Sequence, residues 1–186
     1  MYITQDNNKC KLTCLVYKLL NKMVNRRSNR RAVLTEAADR LVHRRGYCQT
    51  TLSDIAKEAN IPLGNVYYYF KTKEEIGHAL IDHRAGFYGG LLASWNKVPD
   101  PKKRILSFLQ TMIDSREMLT QSGCTIGSLC QELHKEGGPL ADKAARLFAE
   151  ILEWLEEQFL LLGKKQKSHD LAIHVVSVLQ GAILLS

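Results

Sequence analysis

Residues 50–76 read TTLSDIAKEANIPLGNVYYYFKTKEEI. Thr51 is an N-cap residue type, and Asp54 three positions later can reach back to it, as in a capping box. Leu52, Ile55, Ala56 and Ala59 then repeat at helical spacing on one face. Asn60 tolerates the left-handed conformation that ends a helix, and Ile61 can plug the corner beyond it. Pro62 suits the first turn of a second helix, where its missing N–H costs nothing. In that second helix Val66 and Phe70 point inward, which leaves Leu63, Asn65 and Tyr68 pointing out. Thr72 is placed to cap a third helix, with Glu74 and Glu75 in its electropositive first turn. Helix, tight turn, short tyrosine-bearing helix is the layout of a DNA-reading helix-turn-helix.

Upstream, Val33, Leu34, Ala37, Ala38, Leu41 and Val42 form one buried stripe, predicting a helix from about Arg30 to Arg45 that Gly46 ends. Gly46-Tyr47, Thr50-Thr51, Asp54-Ile55-Ala56, Ala59, Gly64, Tyr67, Phe70 and Lys73-Glu74 together resemble the DNA-binding domain of TetR-family transcriptional regulators. The resemblance covers about residues 31 to 76 without a gap. It implies that Thr50, Thr51, Leu63, Gly64, Asn65, Tyr67, Tyr68, Tyr69 and Lys73 contact DNA. Leu63, Gly64, Asn65 and Tyr68 would face the major groove, where asparagine can pair with adenine and tyrosine can touch a thymine methyl. Thr51, Tyr67, Tyr69 and Lys73 would hold phosphates, Thr51 and Lys73 doing so beside helix N-termini. Tyr67 and Tyr69 also have a plainer reading as packing residues.

The chain has 186 residues and a formal charge of +7. Residues 1–31 carry Lys9, Lys11, Lys18, Lys22, Arg26, Arg27, Arg30 and Arg31 against Asp6 alone, so the whole excess lies ahead of the helix-turn-helix. Such a flank adds salt-dependent, sequence-blind affinity for a polyanion. Leu12, Leu15, Val16, Leu19, Leu20 and Met23 can form an apolar stripe there, read either as a docking or membrane-surface helix or as a poorly ordered extension. No run of 18 apolar residues suggests a transmembrane segment. Five cysteines without a C-x-x-C argue against a disulfide framework and point to a reducing cytoplasm.

After residue 76 the pattern stays helical. A long helix is expected from about Lys73 to Asn96, then one begun by Asp100-Pro101 and broken by the loop Gln121 to Cys124. A short helix to about Glu136, one over 140–162 and a last one capped by Ser168 and running to Leu185 complete the chain. The expected fold is all-α: residues 1–29 as an extension, 30–76 as the DNA-binding domain and 77–186 as a helical effector-binding and dimerisation domain. The resemblance implies a homodimer through residues 140–162 and 168–185, a double-stranded palindromic operator and a small-molecule effector. Candidate effector-pocket walls are Phe87, Leu91, Trp95, Phe108, Met112, Cys124, Ile126 and Trp154. Arg116, Gln131, His134 and His174 are the candidate polar groups.

Gly123-Cys-Thr-Ile-Gly-Ser-Leu-Cys130 resembles a glycine-cysteine turn in one branch of the family. A thiol at a helix N-terminus is reactive, which makes Cys124 a candidate sensor of electrophiles or oxidants. The plainer reading is a small thiol filling space. A ligand-independent DNA-binding protein and an accessory protein docking through its first residues are the remaining classes. An enzyme is not expected, since no G-x-G-x-x-G, P-loop, G-x-S-x-G or H-E-x-x-H is present. Neither metal ligands nor a cofactor are implied.

Overall fold

The computed structural model describes residues 30–186; the basic flank and its apolar stripe lie outside the described residues. The described residues form helices only: α1 (Arg30–Arg45), α2 (Leu52–Ala59), α3 (Leu63–Tyr69), α4 (Lys73–Asn96), α5 (Pro101–Asp114), α6 (Arg116–Ser122), α7 (Thr125–Glu136), α8 (Pro139–Leu161) and α9 (Ser168–Leu184).

Local chemistry sets the boundaries. Gly46 ends α1 at φ 89°, a left-handed value that glycine takes at no steric cost. Thr51 and Asp54 close the expected reciprocal cap on α2, and Asn60 ends it at φ 53°. Thr72 caps α4 by accepting the Glu75 N–H at 3.1 Å. Asp100 caps α5 by accepting the Lys102 N–H at 2.9 Å. Gly137 and Gly138, both at positive φ, separate α7 from Pro139.

Two expected boundaries move. The helix begun at Pro101 already breaks at Ser115, whose hydroxyl donates back to the Thr111 carbonyl, so the segment before Gly123 is two helices. Ser168 is not a cap. It is the first residue of α9, is buried, and turns its hydroxyl back to the Lys165 carbonyl.

Two cores form. Leu34, Ala37, Ala38, Leu41, Ile55, Ala56, Val66, Phe70, Ile76 and Ala79 make the first. Fully burying a side chain such as Leu34 or Phe70 contributes about 1.5–3 kcal/mol. The second core gathers Leu80, Ile81, Trp95, Phe108, Ile126, Leu129, Leu147, Trp154 and Leu155, joined by Val42 of α1 and Tyr47 of the turn after it. The change from one core to the other falls inside the continuous helix α4. That helix therefore links the helix-turn-helix to the helical bundle without a break, and within the bundle α8 packs along α9, α7, α4 and α5.

Candidate nucleic-acid interface and regulatory half

The helix-turn-helix is α2, the Asn60–Pro62 corner and α3. The Asn60 N–H donates to the Ala56 and Lys57 carbonyls and the Ile61 N–H to the Ala56 carbonyl, so the turn satisfies its own backbone. Val66 and Phe70 are wholly buried and anchor α3 on the first core. With that face fixed, the opposite face of α3 looks outward. Tyr68 is 76% exposed, and Leu63 and Tyr67 are also exposed. Gly64 is exposed, and a Cβ there would meet nothing within 4 Å. Asn65 and Tyr69 are half-buried, and the Tyr68 and Tyr69 rings meet edge to face at 5.0 Å. Tyr67 therefore does not belong to the core.

Several of the surrounding charges are paired. Arg40 and Arg44 share Glu58, at 3.0 and 2.7 Å, and hold its carboxyl below the usual range, Arg40 first. Asp54 is likewise held down, first by the Thr51 hydroxyl, then by the Thr51 N–H and Arg45. Lys71 Nζ donates to the Tyr67 carbonyl at 2.7 Å, placing beside α3 a cation absent from the expected contacts. Its position in the sequence does signal it, since Lys71 closely succeeds the tyrosine helix.

Thr50 must be corrected as a contact. It is 1% exposed, and its hydroxyl donates inward to the Gly46 carbonyl at 2.7 Å. It locks the turn before α2 and presents nothing to a phosphate. Thr51 is exposed. Lys73 turns toward the α1–α2 turn, with Nζ donating to the Cys48 carbonyl at 2.8 Å and lying 4.6 Å from the Tyr47 ring centre. Burial pushes the Tyr47 hydroxyl up to about 12, helped by Glu74, so it stays a neutral donor to the Lys73 carbonyl at 3.1 Å.

The expected effector residues divide into two groups, one at the surface of the single chain and one gathered at the second core. Phe87, Arg116 and His174 are exposed, as are Gln131 and His134, so none of these five walls an enclosed pocket. Helices α4 and α9 carry apolar residues on more than one face, and packing chose faces other than those expected. Phe108 and Trp154 lie instead in an aromatic cluster with Trp95, at 5.5 Å or slightly more between ring centres. Ile126 is buried, with Leu91, Met112 and Cys124 packed partly buried against the same core.

The polar groups inside are different ones. Gln158 is fully buried, accepting from Arg104 at 3.1 Å and donating to the Trp154 carbonyl. Arg84 is buried, donating to Asp39 at 2.7 Å and to the Thr125 carbonyl. Tyr88 and Thr125 bond through their hydroxyls at 2.8 Å. Spacing carries the signal for this set, since Leu80, Arg84 and Tyr88 recur every four residues along α4. Cys124 forms the N-cap of α7, its Sγ accepting the Gly127 N–H and the Gln180 side-chain amide, each at 3.4 Å. Burial pushes the neighbouring Cys130 thiol up to about 11.

A cleft of about 440 Å³ lies elsewhere, between the α1–α2 turn and the start of α8. Tyr47, Cys48, Lys73, Glu74, Leu133, Glu136 and Leu140 line it. Among the described residues no cluster of three His, Cys, Asp or Glu side chains fits a metal ion, and no helix is long and apolar enough to cross a membrane.

Residues 34–80 match the family model described as bacterial regulatory proteins, tetR family. Residues 101–186 match the C-terminal domain of LmrA/YxaF-like transcriptional regulators. The chain is 26% identical to the HTH-type transcriptional regulator LmrA of Bacillus subtilis, over 84% of this chain and 85% of that one. It is 30% identical to the HTH-type transcriptional repressor NemR of Escherichia coli, over 61% of this chain and 60% of that one. A TetR transcriptional regulator from Legionella pneumophila has the same fold, with a TM-score of 0.78 and 23% identity over 87% of this chain and 88% of that one. With a helix-turn-helix at one end and an LmrA/YxaF-like helical bundle at the other, this chain belongs to the TetR family of DNA-binding transcriptional regulators.

Proposed function

We propose that the protein is a homodimeric repressor of a palindromic operator, in which residues 30–76 read DNA and 77–186 dimerise and receive a small effector. The outward face of α3 carries this reading: Leu63, Gly64, Asn65 and Tyr68 stand together on a helix whose other side is locked by Val66 and Phe70. A recognition helix reads bases with its first turns while neighbouring groups hold the backbone. Thr51, Tyr67, Tyr69 and Lys73 are the proposed phosphate contacts. The similarity to a relative named as a repressor supports repression. Exposed Leu161, Ile173 and Val178 on α8 and α9 support pairing with a second copy.

For the effector, Leu91, Phe108, Met112, Ile126 and Trp154 supply apolar surface, and Arg84, Tyr88 and Gln180 supply polar groups near the α7 N-terminus. A second reading makes Cys124 a sensor thiol. Its two hydrogen-bond donors and its place at the α7 N-terminus favour it. A labelling rate for Cys124 no faster than that of free cysteine removes that reading.

Selection of bound duplexes from a random pool tests the main proposal. The expected product is a palindrome whose half-sites lie about one helical turn apart. Recovery of DNA with no sequence in common overturns it. A compound screen for release of the selected duplex then tests the effector.

A further inference from the structure

Glu132 stands on α7, in the bundle, yet both its carboxylate oxygens serve the α1–α2 turn that leads into the helix-turn-helix. Oε1 accepts the Tyr47 N–H at 3.1 Å and Oε2 the Cys48 N–H at 2.9 Å. Consecutive N–H groups aimed at one carboxylate form a small anion nest, and a charged acceptor makes each bond stronger than a neutral one. The approach needs Gly46: a Cβ there would stand 2.6 Å from Glu132 Oε1, and φ is +89°.

The clamped turn sets the start of α2. Thr50 closes the turn through the Gly46 and Tyr47 carbonyls, and Thr51 comes next as the cap of α2. From the same turn the Tyr47 hydroxyl donates to the Lys73 carbonyl, and the Cys48 carbonyl receives the Lys73 ammonium. One carboxylate of the bundle thus orients the turn on which both Thr51 and Lys73 depend.

We infer that Glu132 is a positioning residue for DNA binding, coupling α7 to the phosphate-gripping end of the helix-turn-helix. This rests on the proposed phosphate contacts of Thr51 and Lys73. Any shift of α7 is carried into the turn by two directional bonds rather than by apolar packing alone.

The test uses the full chain with Glu132→Gln and Glu132→Ala. Amide exchange at Tyr47 and Cys48 is read without DNA, and binding to a selected duplex is titrated at two salt concentrations. Glu132→Ala is expected to raise exchange at these two amides at least tenfold over the rest of α1 and α2. Duplex affinity should fall about tenfold, and the salt slope should drop by about one as the Lys73 contact loosens. Glu132→Gln, which keeps one acceptor oxygen, should fall between. A clamp that only stabilises the fold would lower the melting temperature and leave the salt slope of the folded fraction unchanged. Wild-type affinity and slope in Glu132→Ala overturn the inference, as does a Glu132→Ala, Lys73→Ala double variant whose losses simply add. If Lys73→Ala alone binds normally, the phosphate reading of Lys73 fails, and the exchange and affinity of Glu132→Ala decide the clamp.

Discussion

Arg84 Nε lies 2.7 Å from Asp39 Oδ1 and ties α4 to α1, while Arg84 Nη2, also buried, has no hydrogen-bond partner. The pair is unequally buried, with side-chain exposures of 4% for Arg84 and 23% for Asp39. Removing Asp39 leaves a guanidinium in the interior without its counter-charge, a loss on the order of 3 kcal/mol. Removing Arg84 leaves a carboxylate that water can reach. Asp39→Ala should therefore destabilise more than Arg84→Met, although Arg84 makes the greater number of contacts. Urea denaturation of the two variants gives the order; equal or reversed costs would show that the buried charge does not govern this junction.

Gly64 offers a separation of folding from reading. A methyl group there meets nothing within 4 Å, and helix propensity favours alanine by up to about 1 kcal/mol. Gly64→Ala should raise the melting temperature and yet weaken operator binding at least tenfold, because the α3 backbone must come close to the bases. Unchanged affinity would move the close approach elsewhere on α3.

Tyr68 and Lys73 should fail in different ways. Tyr68, at 76% exposure, makes little contact within the fold apart from the edge of Tyr69. Tyr68→Ala should change the preference among operator variants and leave stability alone. Lys73→Ala should weaken selected and unrelated duplexes alike and reduce the salt slope by about one. Titrations of both duplex types at two salt concentrations distinguish them, and sequence-selective loss in Lys73→Ala would contradict its assignment to phosphate.

Asp54 makes the helix-turn-helix sensitive to acid. The Thr51 hydroxyl, the Thr51 N–H and Arg45 hold its carboxyl below the ordinary value. A carboxylate depressed in the folded state contributes stability above its unfolded pKa, about 3.9, and loses it as pH falls through the folded value. Asp54→Asn should melt below the parent at neutral pH, and the two curves should converge once the parent carboxyl is protonated. A constant gap across that range would mean that the Arg45 and Thr51 contacts are not made in solution.

Local chemistry is the part of this fold that is legible in the chain. The Thr51–Asp54 cap, the left-handed Asn60 and the Asp100 cap each depend on residues within four positions, so spacing alone reveals them. Thr50 departs from its expected role because its direction is set by the turn that Gly46 permits, which draws the hydroxyl inward. Phe87 and His174 depart from theirs because α4 and α9 are apolar on several sides, and only packing against neighbouring helices selects the buried one. Glu132 and Gly46 cannot be paired from spacing, being far apart in sequence and joined by the fold of α7 against the α1–α2 turn.

Pairing through α8 and α9 can be tested with a residue the single chain does not need. Val178 is 55% exposed on α9. An acidic side chain there would be solvated in an isolated copy and buried in a paired one, where an uncompensated charge is costly. Val178→Glu should keep its helical content, sediment as a monomer and lose tight binding to the full palindrome, because one copy grips a single half-site. Leu106 is similarly exposed at 52%, but on α5, which is not one of the two helices of the proposed seam. Leu106→Glu should remain a dimer with parent affinity. A dimeric, operator-binding Val178→Glu protein would place the contact between copies outside α9.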